Sequence, residues 1–173
     1  QFNLFADQAQ LEILEQYFYD INQWSRQHGN DTEYSDMGTL INEKLALFKV
    51  SSSNLQGANG YVELPRGLYK IGTLSHTKFG GGSNRIIFEE VNYNDHKEML
   101  ASPLTAPTFK RPLFQNLNGQ LKLYPDGFVA SDIGLSYIEK PKTPKWAFVV
   151  VNNKTLYNSN ISVDFRLHAS EES

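Results

Sequence analysis

Chemistry in this chain has to come from histidine, carboxylate, hydroxyl, amine and aromatic side chains, because its 173 residues include no cysteine. Thiolate zinc sites, iron–sulfur clusters, disulfide frameworks and cysteine nucleophiles are excluded at once, while the redox compartment stays open. The four histidines, His28, His76, His96 and His168, are far apart, and none is followed by another four residues on, the spacing that sets two imidazoles on one helical face for a metal. Asp95-His96-Lys97-Glu98 is the one local cluster of possible ligands or acid–base groups. Asp95 near a helix start is favoured by the helix dipole alone, so the cluster reads as an exposed helix start. Gly80-Gly81-Gly82-Ser83 has the glycines of a phosphate cradle, but a cradle needs a helix N-terminus after it, and Arg85–Val91 reads as a strand. Glu89-Glu90 and Glu171-Glu172 would point to opposite faces of an extended chain, which is not the arrangement of a two-carboxylate glycosidase. No Gly-x-Ser-x-Gly elbow occurs. The expectation is a protein that is not an enzyme and uses no cofactor and no metal.

Binding signals are nearly as sparse. A net charge of −3 argues against holding nucleic-acid phosphates over a broad surface, and Lys140, Lys142 and Lys145 read as a solvated loop. The sequons at Asn30, Asn153 and Asn160 are about as many as the composition gives by chance, so they carry no weight for secretion. Aromatic residues make up 13% of the chain, most of them spaced as core or interface residues. A concave platform of Tyr61, Tyr69, Tyr124 and Trp146 would make the protein a β-rich module for carbohydrate or a host surface, the alternative to the structural role reached below.

These residues have to be positioned by an α+β fold. Leu4, Leu11, Leu14, Phe18 and Ile21 recur at helical spacing, which predicts one amphipathic helix over the first thirty residues, with Asn3 as N-cap and Gly29 at the stop. A shorter helix is expected from about Asp36 to Phe48 with Ser35 as cap, after a polar loop from Gly29 to Tyr34, and Ser51–Asn54 should end the helical region. Strands are expected near Gly60–Leu64, Tyr69–Thr77, Arg85–Val91, Leu113–Asn116, Gln120–Tyr124, Asp132–Glu139, Trp146–Val151 and Ser162–His168, most of them antiparallel. Asn118-Gly119 should close a hairpin, Lys78–Asn84 should be a flexible tip, and a third helix should run from Tyr93 to Ala101. The proline-rich segment Pro103 to Pro112 should be an extended strap. The division expected is one domain over 1–173, with a helical part at 1–50 and an antiparallel β-rich part at 59–168. At this length a chain buries roughly 70% of the surface it exposes when unfolded. No apolar run approaches the roughly 20 residues of a spanning helix, so no membrane is expected. A start at Gln1 and a Ser-Glu-Glu-Ser end read as the ordered part of a longer product.

Three stretches together resemble a known family. Gly60-Tyr61-Val62-Glu63-Leu64-Pro65-Arg66-Gly67-Leu68-Tyr69-Lys70-Ile71 is similar to the tyrosine, leucine-proline, strand signature of adaptor or tail-tubular proteins of short-tailed bacteriophages. Leu121-Lys122-Leu123-Tyr124-Pro125, followed by Ile133-Gly134-Leu135-Ser136-Tyr137-Ile138-Glu139-Lys140-Pro141, looks like that family's tyrosine-proline and lysine-proline pattern. The segments Phe2–Glu12 and Val163–Glu172 resemble the ends of a virion structural protein of crAss-like and related phages of Bacteroidetes. Arg66-Gly67 departs from the pattern, where an acidic residue is usual.

The resemblance implies a podovirus or crAss-like head–tail connector protein, made in the bacterial host cytoplasm and built into the virion. It would be a homo-oligomeric ring, commonly twelve-fold, between the portal protein and other connector or tail ring proteins. Phage DNA would pass its lumen without sequence-specific binding. A closed ring needs heterologous side-to-side interfaces, and a mildly acidic conduit lets DNA slide. The aromatic first helix and the proline strap supply the candidate interface residues: Tyr17, Tyr19, Trp24, Pro103, Pro107, Phe109 and Pro112. On this reading the Leu4, Leu11, Leu14, Phe18 and Ile21 face packs within the subunit, while Tyr17, Tyr19 or Trp24 are covered only in the assembly.

Overall fold

Helix α1 (Phe2–Arg26) forms where the apolar spacing predicts it, although Asn3 lies inside the helix rather than capping it. The computed structural model describes residues 2–26, 31–53, 55–76 and 85–171, with side chains described over the same ranges except 24–36. Gly29, His28, the tip Lys78–Asn84 with its glycines, and the side chain of Trp24 therefore lie outside the described residues. Helix α2 (Asp31–Ala46) starts before Ser35, so much of the expected Gly29–Tyr34 loop is helical. No proline or glycine stands between Asp31 and Met37 to stop it. Ser51–Ser53, expected to be a helix-ending turn, belongs instead to strand β1 (Lys49–Ser53).

The chain divides into two compact units, residues 50–139 and the pair of segments 1–49 and 140–173. The β-rich part thus ends at Glu139, and the residues after it join the helices.

The 50–139 unit holds two four-stranded sheets. The strands are β1, β2 (Tyr61–Glu63), β3 (Leu68–His76), β4 (Ile86–Ile87), β5 (Glu89–Glu90), β6 (Leu113–Leu117), β7 (Gln120–Tyr124) and β8 (Ile133–Glu139). One sheet runs β1-β8-β3-β4 and the other β2-β7-β6-β5. Pairing is antiparallel between β3 and both its neighbours and along β2-β7-β6. Strand β5 lies parallel to β6, and helix α3 (Tyr93–Ala101) sits in the crossover between them. Alternation along the strands sends Leu121 and Leu123 of β7 and Ile133, Leu135 and Tyr137 of β8 into one core with Val62, Leu74, Phe88 and Phe114. The Asn118-Gly119 turn has positive φ at both residues, 41° and 90°, as the two-residue hairpin requires.

The segment from Pro103 to Pro112 corrects the extended strap. It is a succession of turns: Thr105 and Ala106 N–H donate back to the Ser102 carbonyl, and Thr108 and Arg111 exchange both backbone hydrogen bonds around Phe109-Lys110. The Thr105 hydroxyl donates to the Met99 carbonyl at the end of α3, which also accepts the Ser102 N–H at 3.4 Å. Prolines here end the helix and bend the chain rather than straighten it.

In the other unit α1 packs on α2. The strand expected at Ser162–His168 is absent: Val163 alone pairs, with Lys145, as an isolated bridge. A hairpin stands before it, β9 (Phe148–Val151) with β10 (Lys154–Tyr157), joined by Asn152-Asn153 with φ of 50° and 60°. Strand β10 was legible as Thr-Leu-Tyr after an Asn-Asn turn.

Two truncations separate core from surface. Leu135→Ala empties a fully buried site and should cost about 2–5 kcal/mol in urea unfolding, whereas Leu156→Ala on the exposed hairpin should change the stability of the isolated chain by less than about 1 kcal/mol. Equal losses would contradict the placement of the core.

Candidate assembly surface

A helix buries the stripe for which it has partners, and on α1 the buried positions are Ala6, Gln10, Leu14 and Tyr17; of the predicted face Leu14 is fully buried and Leu11, Phe18 and Ile21 are half-buried. Gln10 is 1% exposed and Tyr17 2%, whereas Leu4 is 75% exposed. Asn3, exposed at the start of the helix, and the buried Gln10 and Tyr17 are spaced by seven, and each bonds to the returning chain. Asn3 Oδ1 accepts from the Trp146 N–H at 2.8 Å while its Nδ2 donates to the Trp146 carbonyl at 3.3 Å. Gln10 repeats the pattern, Oε1 accepting from the Arg166 N–H at 2.8 Å and Nε2 donating to the Arg166 carbonyl at 3.2 Å. Each amide thus stands in for the neighbouring strand that the backbone lacks, and satisfaction of both its groups is what lets a glutamine be buried.

Tyr17, the third of the series, donates its hydroxyl to Glu171, which also receives Lys44 Nζ at 2.6 Å. Lys44 lies 5.3 Å from the centre of the Tyr17 ring, and the Arg166 guanidinium lies 5.4 Å from that of Phe48. Burial by itself would raise the Glu171 carboxyl, but the Lys44 and Tyr17 hydrogen bonds and the charges of Lys44 and His168 outweigh it and hold it below the ordinary glutamate range. Burial, then the hydrogen bond to Glu171 and its charge, push the Tyr17 phenol well above its ordinary range.

Two apolar surfaces of this unit remain uncovered. Leu4 and Phe5 project from the first turns of α1. The β9–β10 hairpin is exposed along every residue of both strands, with its six apolar residues between 44% and 57% exposed. Register puts Phe148 and Val150 on one face with Tyr157 and Thr155, and Val149 and Val151 on the other with Leu156 and Lys154. Trp146 extends the first face, its ring 5.5 Å from that of Phe148. β9 and β10 pair only with each other among the described residues, so each keeps an open edge. A lone two-stranded ribbon is marginal in water, and an apolar one with open edges is a template for association.

The residues expected at an interface are scattered. Tyr17 and Pro112 are buried within the chain itself and are core residues, a correction to their assignment. Tyr19 is 57% exposed, with its hydroxyl accepting from Gln23 Nε2 at 2.8 Å. Pro103 is exposed and Pro107 half-buried. Phe109 is partly exposed, its ring 5.2 Å from that of Phe128. The first strand of the hairpin lies within the strand expected at Trp146–Val151; its partner was missed, and Val-Val-Val beside an Asn-Asn turn was the available signal.

The aromatic platform is divided as well. Tyr61 and Tyr124 share a sheet face, but Lys122 lies between them, Nζ 4.6 Å from one ring centre and 5.8 Å from the other, tied down by Asp126 at 2.6 Å. Tyr69 is on β3 of the other sheet, and Trp146 is in the helical unit. His96, expected on an exposed helix start, is buried against Tyr124, the rings stacked at 3.8 Å, and its Nε2 makes no hydrogen bond. Among the described residues no three His, Asp or Glu side chains converge as a metal site, and no described helix is long and apolar enough to cross a membrane. No protein-family model matches the chain, and no curated protein matches it either.

The Tyr17–Glu171–Lys44 contact makes stability depend on acid. Because the folded carboxyl sits below its unfolded value, its contribution is complete above the ordinary glutamate range and fades as pH falls through the lowered folded value. Glu171→Gln should flatten this part of the acid limb, and Tyr17→Phe should cost about 1–2 kcal/mol near neutral pH in thermal or urea unfolding. An acid limb unchanged in Glu171→Gln would contradict it.

Proposed function

We propose that this protein is a structural subunit of a bacteriophage virion, a ring or adaptor component of a head–tail connector or tail tube. The observation that carries the reading is the β9–β10 hairpin, apolar, exposed at every residue and open along both edges among the described residues of the single chain. An isolated subunit has no use for such an element, and an assembly has one. The order of the Tyr61–Ile71 and Leu121–Pro141 motifs along the chain supports the same family. So does the net charge of −3, since a mildly acidic lumen does not hold passing DNA. Portal and tail ring proteins are the neighbours, and the role requires no catalytic residue and no cofactor.

Quantitative peptide mass spectrometry on purified particles of the source phage tests the proposal. A connector ring predicts about a dozen copies per particle, or a small multiple, because closed cyclic symmetry fixes the number. Absence from intact particles would overturn it.

A further inference from the structure

Asn-Gly occurs twice in the sequence, at Asn59-Gly60 and Asn118-Gly119, and each pair forms a turn with positive φ at both residues, 56° and 76° in the first and 41° and 90° in the second. We infer that Asn118 is a site of spontaneous deamidation in the folded protein and that Asn59, its match in sequence and backbone conformation, is protected. The reaction needs no enzyme and no cofactor. The Gly119 backbone nitrogen gives up its proton and bonds to the side-chain carbonyl carbon of Asn118; the bond from that carbon to Nδ2 breaks, and ammonia leaves with the proton. Water then opens the five-membered succinimide at either carbonyl. The product is aspartate or, with the backbone rerouted through the side chain, isoaspartate. Glycine is the favourable follower because no Cβ obstructs the approach to its nitrogen.

In either turn the Asn–Gly peptide plane has to rotate before the glycine nitrogen can face the asparagine side chain, since a turn with both φ values positive directs it away. Each glycine carbonyl accepts one bond, from the Leu123 N–H at 2.8 Å for Gly60 and from the Leu64 N–H at 3.3 Å for Gly119, but these hold the following peptide plane. What holds the Asn–Gly plane itself differs. The Asn59 carbonyl, which must swing with that plane, accepts from Lys122 Nζ at 3.2 Å. Lys122 is fixed in turn, 2.6 Å from Asp126 and 4.6 Å from the centre of the Tyr61 ring. Gly60 is half-buried, with Asp126 Oδ1 and Lys122 Nζ each 3.1 Å from where a Cβ on it would lie. Asn118 and Gly119 are both exposed, and nothing lies within 4 Å of the corresponding Cβ position on Gly119. The Asn118 carbonyl accepts no hydrogen bond among the described residues. Reaction there puts a negative charge on the β6–β7 tip of a chain already at −3.

The full chain is warmed in mildly alkaline buffer, folded and in urea, and both sites are read from one sample by peptide mapping, with aspartate and isoaspartate products separated by chromatography. In the folded chain Asn118 should convert about tenfold or more faster than Asn59, the order expected where one site must first break a hydrogen bond to a charged group. In urea the two rates should converge. Lys122→Met removes the anchor and should bring the Asn59 rate up towards that of Asn118 while leaving Asn118 unchanged. Equal rates in the folded chain, faster conversion at Asn59, or no conversion at Asn118 in the time over which the urea-unfolded chain reacts would overturn the inference. An Asn59 rate unmoved in a Lys122→Met chain that still shows a cooperative urea transition would overturn the protective role of Lys122. The comparison of the two sites in the unmodified chain stands whether or not that variant folds.

Discussion

Three side chains set a heptad apart on one helix hold the helical unit closed. Asn3, Gln10 and Tyr17 meet Trp146, Arg166 and Glu171, residues more than 140 positions away along the chain. Where the returning segment has no strand beside it, at Trp146 and Arg166, its peptide groups bond to amide side chains instead. Each such bond contributes only about 0.5–1.5 kcal/mol net, but leaving the buried Gln10 amide unpaired would cost more. Everything presented by this unit follows from that closure, because the β9–β10 hairpin is carried on the segment that it anchors.

This closure also explains what could be read from the sequence. Apolar periodicity found α1, and β7, α3 and the Asn118-Gly119 turn emerged where short-range signals placed them. It found Leu14 but not Gln10 on the buried side of α1 and put the exposed Leu4 there, because a hydrophobic count cannot register that Gln10 will find bare backbone. The strand expected at Ser162–His168 does not form: Val163 pairs with Lys145 as a single bridge, and Arg166 bonds the Gln10 side chain rather than a neighbouring strand. Ser51–Ser53 follows the helical region as expected but does so as part of a strand, held in the sheet by pairing with β8.

Site residues were harder to read than elements, for a related reason. Aromatic content marked Tyr17, Tyr19 and Trp24 together, but the contacts of each ring decide its use. Tyr17 hydrogen-bonds Glu171 within the chain and Tyr19 faces outward. The proline segment was expected to reach outward, yet Pro112 is core and Phe109 packs by Phe128. His96 shows the opposite error: a polar-looking helix start hides a buried imidazole stacked on Tyr124. In each case the deciding partner is distant in sequence, so local spacing carries no trace of it.

On the reading proposed above, the two-stranded apolar ribbon with its open edges and exposed faces is covered by a neighbour in the assembly. Hydrogen–deuterium exchange over residues 148–157 of the unmodified chain tests that most directly. In the dilute chain these amides should exchange nearly as fast as unstructured peptide, while the β7 and β8 amides stay protected, and assembly should slow the hairpin to the level of those core strands. Strong protection of the hairpin in the dilute chain, unchanged on assembly, would contradict the account.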